Sequence, residues 1–249
     1  MTTTKPTSTA PRKGATTRAK VPVEIKQALE RGELETANLM EGLTIDFDVL
    51  LQRIAPHAPR LAEEGIVRRM KEAGGHLRDW QSHAKHPSDT VRGWAAYKLA
   101  ATHAQDAKQL LPAMKTFAAD SHFGVREWAW MAARPTLAQD LAFALRALSE
   151  WASDDDANVR RFASEVTRPR GVWCAHIEML KRDPEKGLTI LEPLRSDPSK
   201  YVRDSVANWL NDVVKTDEAW VRATTTRWLR DSNTQETEAI VKRALRNLR

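Results

Sequence analysis

The sequence predicts an all-α chain in which antiparallel helix pairs stack into a curved solenoid. Three observations carry this. A Val-Arg pair recurs in similar surroundings at Val91, Val125, Val159 and Val202, at spacings of 34, 34 and 43 residues, a period that suits two helices per unit. Each pair follows a cluster of Asp, Ser, Pro or Asn residues suited to turns and helix N-caps. No stretch sustains the period-2 alternation that a sheet requires.

The elements follow in order. Val23 to Met40, Phe47 to Ile54 and Leu61 to His83 read as helical, with Gly74-Gly75 marking a break. In the second helix of each unit the apolar residues fall at helical offsets: Val125, Trp128, Ala129 and Ala132; Val159, Phe162, Ala163 and Val166; Val202, Val206, Trp209, Leu210 and Val213. Each series describes one buried face. Asp106 to Ala119, Leu137 to Trp151 and Pro184 to Leu194 read as partner helices, and the last unit continues through Thr216 to Leu229 and Thr234 to Leu248. This pattern resembles HEAT repeats, and the column Arg92, Arg126, Arg160 and Arg203 matches the structural arginines that pair with acidic neighbours in such stacks.

Residues 1–20 are Thr, Ser, Ala, Lys, Arg, Gly and Pro without an apolar period, so a disordered basic tail is expected there, ahead of one domain over residues 21–249. Arg12, Lys13, Arg18 and Lys20 can brush a polyanion or simply stay solvated. No apolar run approaches the roughly 20 residues of a spanning helix, and no hydrophobic segment follows the basic start as in a secretion signal, so a cytoplasmic protein with no membrane partner is expected. A single cysteine, Cys174, excludes an internal disulfide, and the seven scattered histidines include no HExxH-type pair, so no metal or other cofactor is expected. A formal charge of +6 favours an anionic partner. Nine tryptophans must fill a core or supply stacking platforms.

Each Val-Arg serves as a ruler for the acids nearby. Glu127 lies one residue after Arg126, Glu165 five after Arg160 and Asp212 nine after Arg203. Successive offsets differ by four, so the three carboxylates belong to one helical face, each about 6 Å further along its helix. Parallel neighbouring helices then bring them to one wall of the stack. A carboxylate in a groove for a polyanion repels phosphate, which makes these three candidates for chemistry; the bland alternative is solvated acids or partners of nearby arginines.

The segment Arg160-Arg-Phe-Ala-Ser-Glu-Val-Thr-Arg-Pro-Arg-Gly-Val-Trp-Cys174 ends a helix at Pro169 and Gly171. Arg168 and Arg170 are candidates to hold phosphate oxygens, and Trp173 to stack on a base or sugar. A helix terminus with a buried tryptophan is the other account.

This segment, together with Asp197-Pro-Ser-Lys-Tyr-Val-Arg-Asp-Ser-Val-Ala-Asn-Trp-Leu-Asn-Asp212, resembles the bacterial DNA alkylation repair glycosylases of the AlkC/AlkD superfamily, and more closely the AlkC type, over about residues 23–248. The resemblance implies a solenoid that holds duplex DNA and hydrolyses the N-glycosidic bond of cationic alkylated bases, notably 3-methyladenine and 3-methylcytosine. It implies catalytic roles for Glu165 and Asp212 and, through looser wording, Glu127, acting on a lesion left exposed rather than flipped into a pocket. Trp130, taken to lie off the azimuth of the buried series, becomes a candidate for lesion contact, or else a core residue. The sequence departs from the family at Val166 and at Gly171-Val172, where a Gly and Leu/Pro wording is expected, and no minor-groove contact from the immunoglobulin-like module of some AlkC relatives is expected.

A cationic base leaves without protonation, so negative charge near the developing sugar cation and a group that orients water suffice. Two other readings stay open: a nonenzymatic DNA-binding solenoid, and a protein scaffold whose basic charge is incidental.

Overall fold

The structure, a computed structural model, describes residues 12–62, 65–171 and 173–248. Fourteen α-helices run through them: α1 Val23–Glu30, α2 Leu39–Gly42, α3 Phe47–Ile54, α4 Ile66–His76, α5 Asp89–Thr102, α6 Ala107–Ala118, α7 Phe123–Gln139, α8 Leu141–Trp151, α9 Ala157–Val166, α10 Glu178–Arg182, α11 Leu188–Leu194, α12 Lys200–Val214, α13 Glu218–Asp231 and α14 Gln235–Ala244. No strand occurs among the described residues, and none of their helices is long and apolar enough to cross a membrane.

Helices α4, α5, α7, α9, α12 and α14 form one row in which each packs on the next, while α6, α8, α11 and α13 bridge neighbours of that row from one side. This is the HEAT-like stack of helix pairs. The core is continuous along it: Val125, Ala129, Val159, Phe162, Ala163, Val202, Val206, Trp209 and Leu210 are all buried, as the spacing predicts.

The Val-Arg repeat is a turn-closing device. In every unit the arginine Nη1 donates to the two carbonyls six and five residues earlier: Arg92 to His86 and Pro87, Arg126 to Asp120 and Ser121, Arg160 to Asp154 and Asp155, Arg203 to Asp197 and Pro198. The guanidinium thereby satisfies carbonyls of the loop that enters the helix. Two of them also reach the next unit: Arg92 Nε lies 2.8 Å from Asp120 Oδ2, and Arg160 Nε lies 2.7 Å from Asp197 Oδ2.

Four expectations are corrected. The helix from Val23 ends at Glu30 rather than Met40, where Gly32 takes φ 74. Gly74-Gly75 does not break α4, which runs on to His76, and a Cβ at Gly74 would lie 2.6 Å from the Trp94 carbonyl. That glycine lets α4 approach α5. Helix α7 runs through Pro135 to Gln139 instead of yielding to a partner helix at Leu137, and Asp140 starts α8 by accepting from the Phe143 N–H. The fourth concerns the tail: residues 1–11 lie outside the described residues, whereas Arg12 is bound, its Nη2 2.7 Å from Glu41, and Asn38 donates to the Ala15 carbonyl. Buried Glu41 needs a cation, and Arg12 is the one in reach.

Candidate active site

The three carboxylates come together at one place. Glu127 stands in the second turn of α7, Glu165 in the last turn of α9 and Asp212 near the end of α12. Two arginines join them into a chain. Arg161 Nη2 lies 2.6 Å from Glu127 Oε1 and 3.5 Å from Glu165 Oε2. Arg168 Nη1 lies 2.7 Å from Glu165 Oε1, and its Nε 2.9 Å from Asp212 Oδ2. Helices α7, α9 and α12 are thus tied by charge at the face the four-residue offsets select.

Their exposures differ, and the difference assigns roles. The Glu127 side chain is 31% exposed, against 4% for Glu165 and 8% for Asp212. Only Glu127 meets solvent broadly. Glu165 also accepts from the Ser205 hydroxyl at 2.7 Å, and Ser205 in turn accepts from Ser164 at 2.8 Å. Burial works to raise the Glu165 pKa, yet Arg161 and Arg168 outweigh it and hold the carboxyl below its ordinary value. For Asp212 burial wins over Arg168, and the carboxyl sits above its ordinary value. Two acids on neighbouring helices are therefore driven in opposite directions, an arrangement found at sites of acid-base chemistry.

The predicted DNA contacts divide. Trp173 is 61% exposed and holds φ 60, a backbone region that non-glycine residues rarely adopt. It is available to a base or sugar. Arg170 donates to the Asp212 carbonyl through Nε at 3.2 Å. Arg168 is not a free phosphate ligand: it is half-buried between two carboxylates and holds them 2.7 and 2.9 Å from its own nitrogens. Trp130 is corrected too, because it is 2% exposed and its indole N–H donates to Glu127 Oε2 at 2.8 Å. Trp128, assigned to the core by its spacing, is the partly exposed one. Trp128 still packs against the core, its ring 6.4 Å from that of Tyr97.

Three further residues escape the sequence reading. Arg134 is buried and donates to three carbonyls, Val166 at 2.7 Å, Arg168 at 2.7 Å and Ala175 at 3.1 Å. It caps the end of α9 and fastens both sides of the loop that carries Arg170 and Trp173. An arginine inside the Ala-rich run of α7 is the signal that could have found it. Arg161 and Ser205 are the others. Arg161 stands directly beside the conspicuous Arg160, and its guanidinium covers the Tyr201 ring at 4.2 Å. Among the described residues no cluster of His, Cys, Asp and Glu could hold a metal ion.

The family model described as DNA alkylation repair enzyme matches residues 127–248, the stretch that carries all three carboxylates. YhaZ of Bacillus subtilis (strain 168), an uncharacterized protein, is 44% identical over 84 residues, 34% of this chain and 23% of that one. Among solved structures, the Pseudomonas fluorescens alkylpurine DNA glycosylase AlkC, bound to DNA containing an abasic site analogue, aligns at a TM-score of 0.66 and 28% identity over 91% of this chain. The alignment covers 62% of that longer chain. AlkD2 from Streptococcus mutans aligns at a TM-score of 0.60 and 21% identity, over 81% of this chain and 99% of that one, a likeness of fold. The helix-pair stack and these matches make residues 127–248 similar to DNA alkylation repair enzymes and the fold similar to that of AlkC.

Proposed function

We propose that the protein is a DNA glycosylase that hydrolyses the N-glycosidic bond of cationic alkylated bases, 3-methyladenine and 3-methylcytosine, in duplex DNA. The observation that carries this is the linkage of Glu127, Glu165 and Asp212 by Arg161 and Arg168 beside the exposed Trp173. A base that already bears positive charge leaves without a proton donor, so the barrier lies in the cationic sugar left behind. Oriented carboxylates stabilise that charge best where water is scarce and the groups are fixed in advance. Glu165 and Asp212, held on both sides of Arg168, supply that fixed negative charge. They also position the attacking water, and Glu127, the most exposed of the three, supports them or contacts the lesion, its Oε2 accepting from the Trp130 indole N–H.

Arg168 stays between the two acids and keeps them in place when DNA is bound. Trp173 and Arg170 border the same loop and supply stacking and a further phosphate contact. The basic protein as a whole favours the approach of DNA.

The deciding assay is release of free base from duplexes containing 3-methyladenine or 3-methylcytosine, with E165Q and D212N beside the parent protein. Release by the parent and a loss of at least about 100-fold in either variant is expected, the size seen when one preorganised electrostatic group is removed. No release from either lesion sinks the reading, and salt-dependent binding without release points to a nonenzymatic DNA-binding protein. Equal release by all three proteins leaves the activity standing and rejects the carboxylate roles.

A further inference from the structure

The chain enters α1 through a basic arm that is seated on α2. Arg12 pairs with Glu41 through both Nη atoms and donates to the Glu35 carbonyl at 3.0 Å. The Asn38 amide donates to the Ala15 carbonyl at 2.8 Å, and Gly14 lies so close that a Cβ there would collide with the same amide. Glu41 is 1% exposed, so the arginine neutralises a carboxylate that is costly to bury alone. A 3-10 turn over Arg18–Lys20 then leads to α1. A stretch of Lys, Gly, Ala and Thr has no apolar face of its own to dock with. These polar contacts fix where it starts.

Arg12 is consumed by its anchor, but the cations that follow are not. Lys13, Arg18 and Lys20 are exposed, and none of them takes part in an ion pair among the described residues. At the carboxylate wall the opposite holds: Arg161 bridges Glu127 and Glu165, and Arg168 bridges Glu165 and Asp212. A wall of three acids repels phosphate, so the backbone of a duplex laid against it has to be gripped from the flanks. The arm lies on one flank. Asn38, which holds Ala15, also lines a cleft of about 220 Å³ together with Leu39 and Gly42 of α2, Glu127 and the exposed Trp173. One side chain therefore joins the arm to the cleft that borders the outermost acid.

We propose that residues 12–20 form a DNA-backbone arm, docked on α2 so that Lys13, Arg18 and Lys20 meet duplex phosphates on one side of the carboxylate wall. The inference rests on duplex DNA being what this surface binds, and goes beyond the chemistry at the acids. Ammonium and guanidinium groups on phosphate release condensed counterions and read no base, so the arm strengthens binding to damaged and undamaged duplex alike. Docking matters because a free tail gives up its conformational freedom at the moment of binding, whereas an arm already held at Arg12 and Ala15 has less to lose.

Lys13→Gln, Arg18→Gln and Lys20→Gln combined in one protein remove the charges and leave the anchor intact. Each phosphate contact contributes about 0.9 to the slope of log affinity against log salt, so the triple variant is expected to bind undamaged duplex with a slope shallower by roughly two to three. Its affinity for a duplex carrying a stable abasic analogue is expected to fall by the same factor. Phosphate ethylation interference on that duplex maps the contacts one by one, and the loss is expected on one side of the abasic position only. Glu41→Gln keeps an acceptor for the Ala37 N–H and removes the ion pair with Arg12. With the cations present but undocked, this variant is expected to bind more weakly than the parent at every salt concentration with the parent's slope. A parent slope in the triple variant, or interference lost evenly along the whole footprint, overturns the arm. Parent affinity in Glu41→Gln beside a shallower slope in the triple variant makes the cations a free tail and overturns the docking. The glycosylase reading falls separately: a parent protein that releases no alkylated base, while the triple variant still shows the shallower slope, leaves the arm standing without it. A parent protein that binds no DNA sinks both.

Discussion

Glu165 and Asp212 are predicted to answer opposite ways when their charges are removed. Glu165 is held below its ordinary pKa, so its charged form stabilises the fold: that contribution is full above the unfolded value near 4.5 and disappears as pH falls through the lower folded value. Asp212 is held above its ordinary 3.8, so its contribution is present in acid and is lost as pH rises through the raised folded value. At pH 7, E165Q is therefore expected to lower stability by about 1–3 kcal/mol, the cost of breaking a buried charged hydrogen-bond set, whereas D212N leaves the midpoint of urea unfolding equal to or above the parent's. A D212N protein that is more stable and inactive places Asp212 among sites where function opposes stability. A D212N protein that unfolds earlier than E165Q contradicts this account. Arg134→Ala leaves the buried Val166 carbonyl without a donor, worth about 1–3 kcal/mol, frees the partly exposed carbonyls of Arg168 and Ala175, and is expected to lower the unfolding midpoint at least as much as E165Q.

At the scale of helices and loops, the unit is a turn closed by its own arginine and coupled to the next turn through an aspartate. Arg160→Ala exposes this coupling, because Asp197 is buried and would lose its cation. Leaving a buried charge unpaired costs about 3–5 kcal/mol. Arg203→Ala loses carbonyl contacts with one face open to water, so it is expected to cost less, and urea unfolding of the two variants checks the order. Gly74→Val tests the contact of α4 with α5: with a Cβ only 2.6 Å from a backbone oxygen, the helices must separate. Overpacking of this kind costs about 1–3 kcal/mol. A variant as stable as the parent would show that the helices can slide.

For the whole molecule, the net charge of +6 and the arginines around the carboxylate wall predict DNA affinity that falls steeply with salt, log affinity declining linearly with log salt as counterions are released. Titration of an undamaged duplex over a range of salt concentrations measures it. Affinity indifferent to salt removes the phosphate-binding surface and favours the scaffold reading. Because the repeats contact mainly their neighbours, damage in α1 to α3 is expected to spare the acids on α7, α9 and α12 but to disturb the cleft, to which α2 contributes Leu39 and Gly42.

The all-α stack, the turn arginines and the shared face of Glu127, Glu165 and Asp212 were legible in the sequence, because a helix repeats every 3.6 residues and a repeat protein copies its register from unit to unit. Spacing along one helix says nothing of what another segment lays over it. So the burial of Trp130, the capture of Arg168 by Asp212, the clamp at Arg134 and the cleft under α2 were decided only by tertiary structure. Arg168 meets Asp212 across 44 positions and Arg134 meets the Val166 carbonyl across 32, and there burial and charge pairing, rather than local period, set which atoms touch.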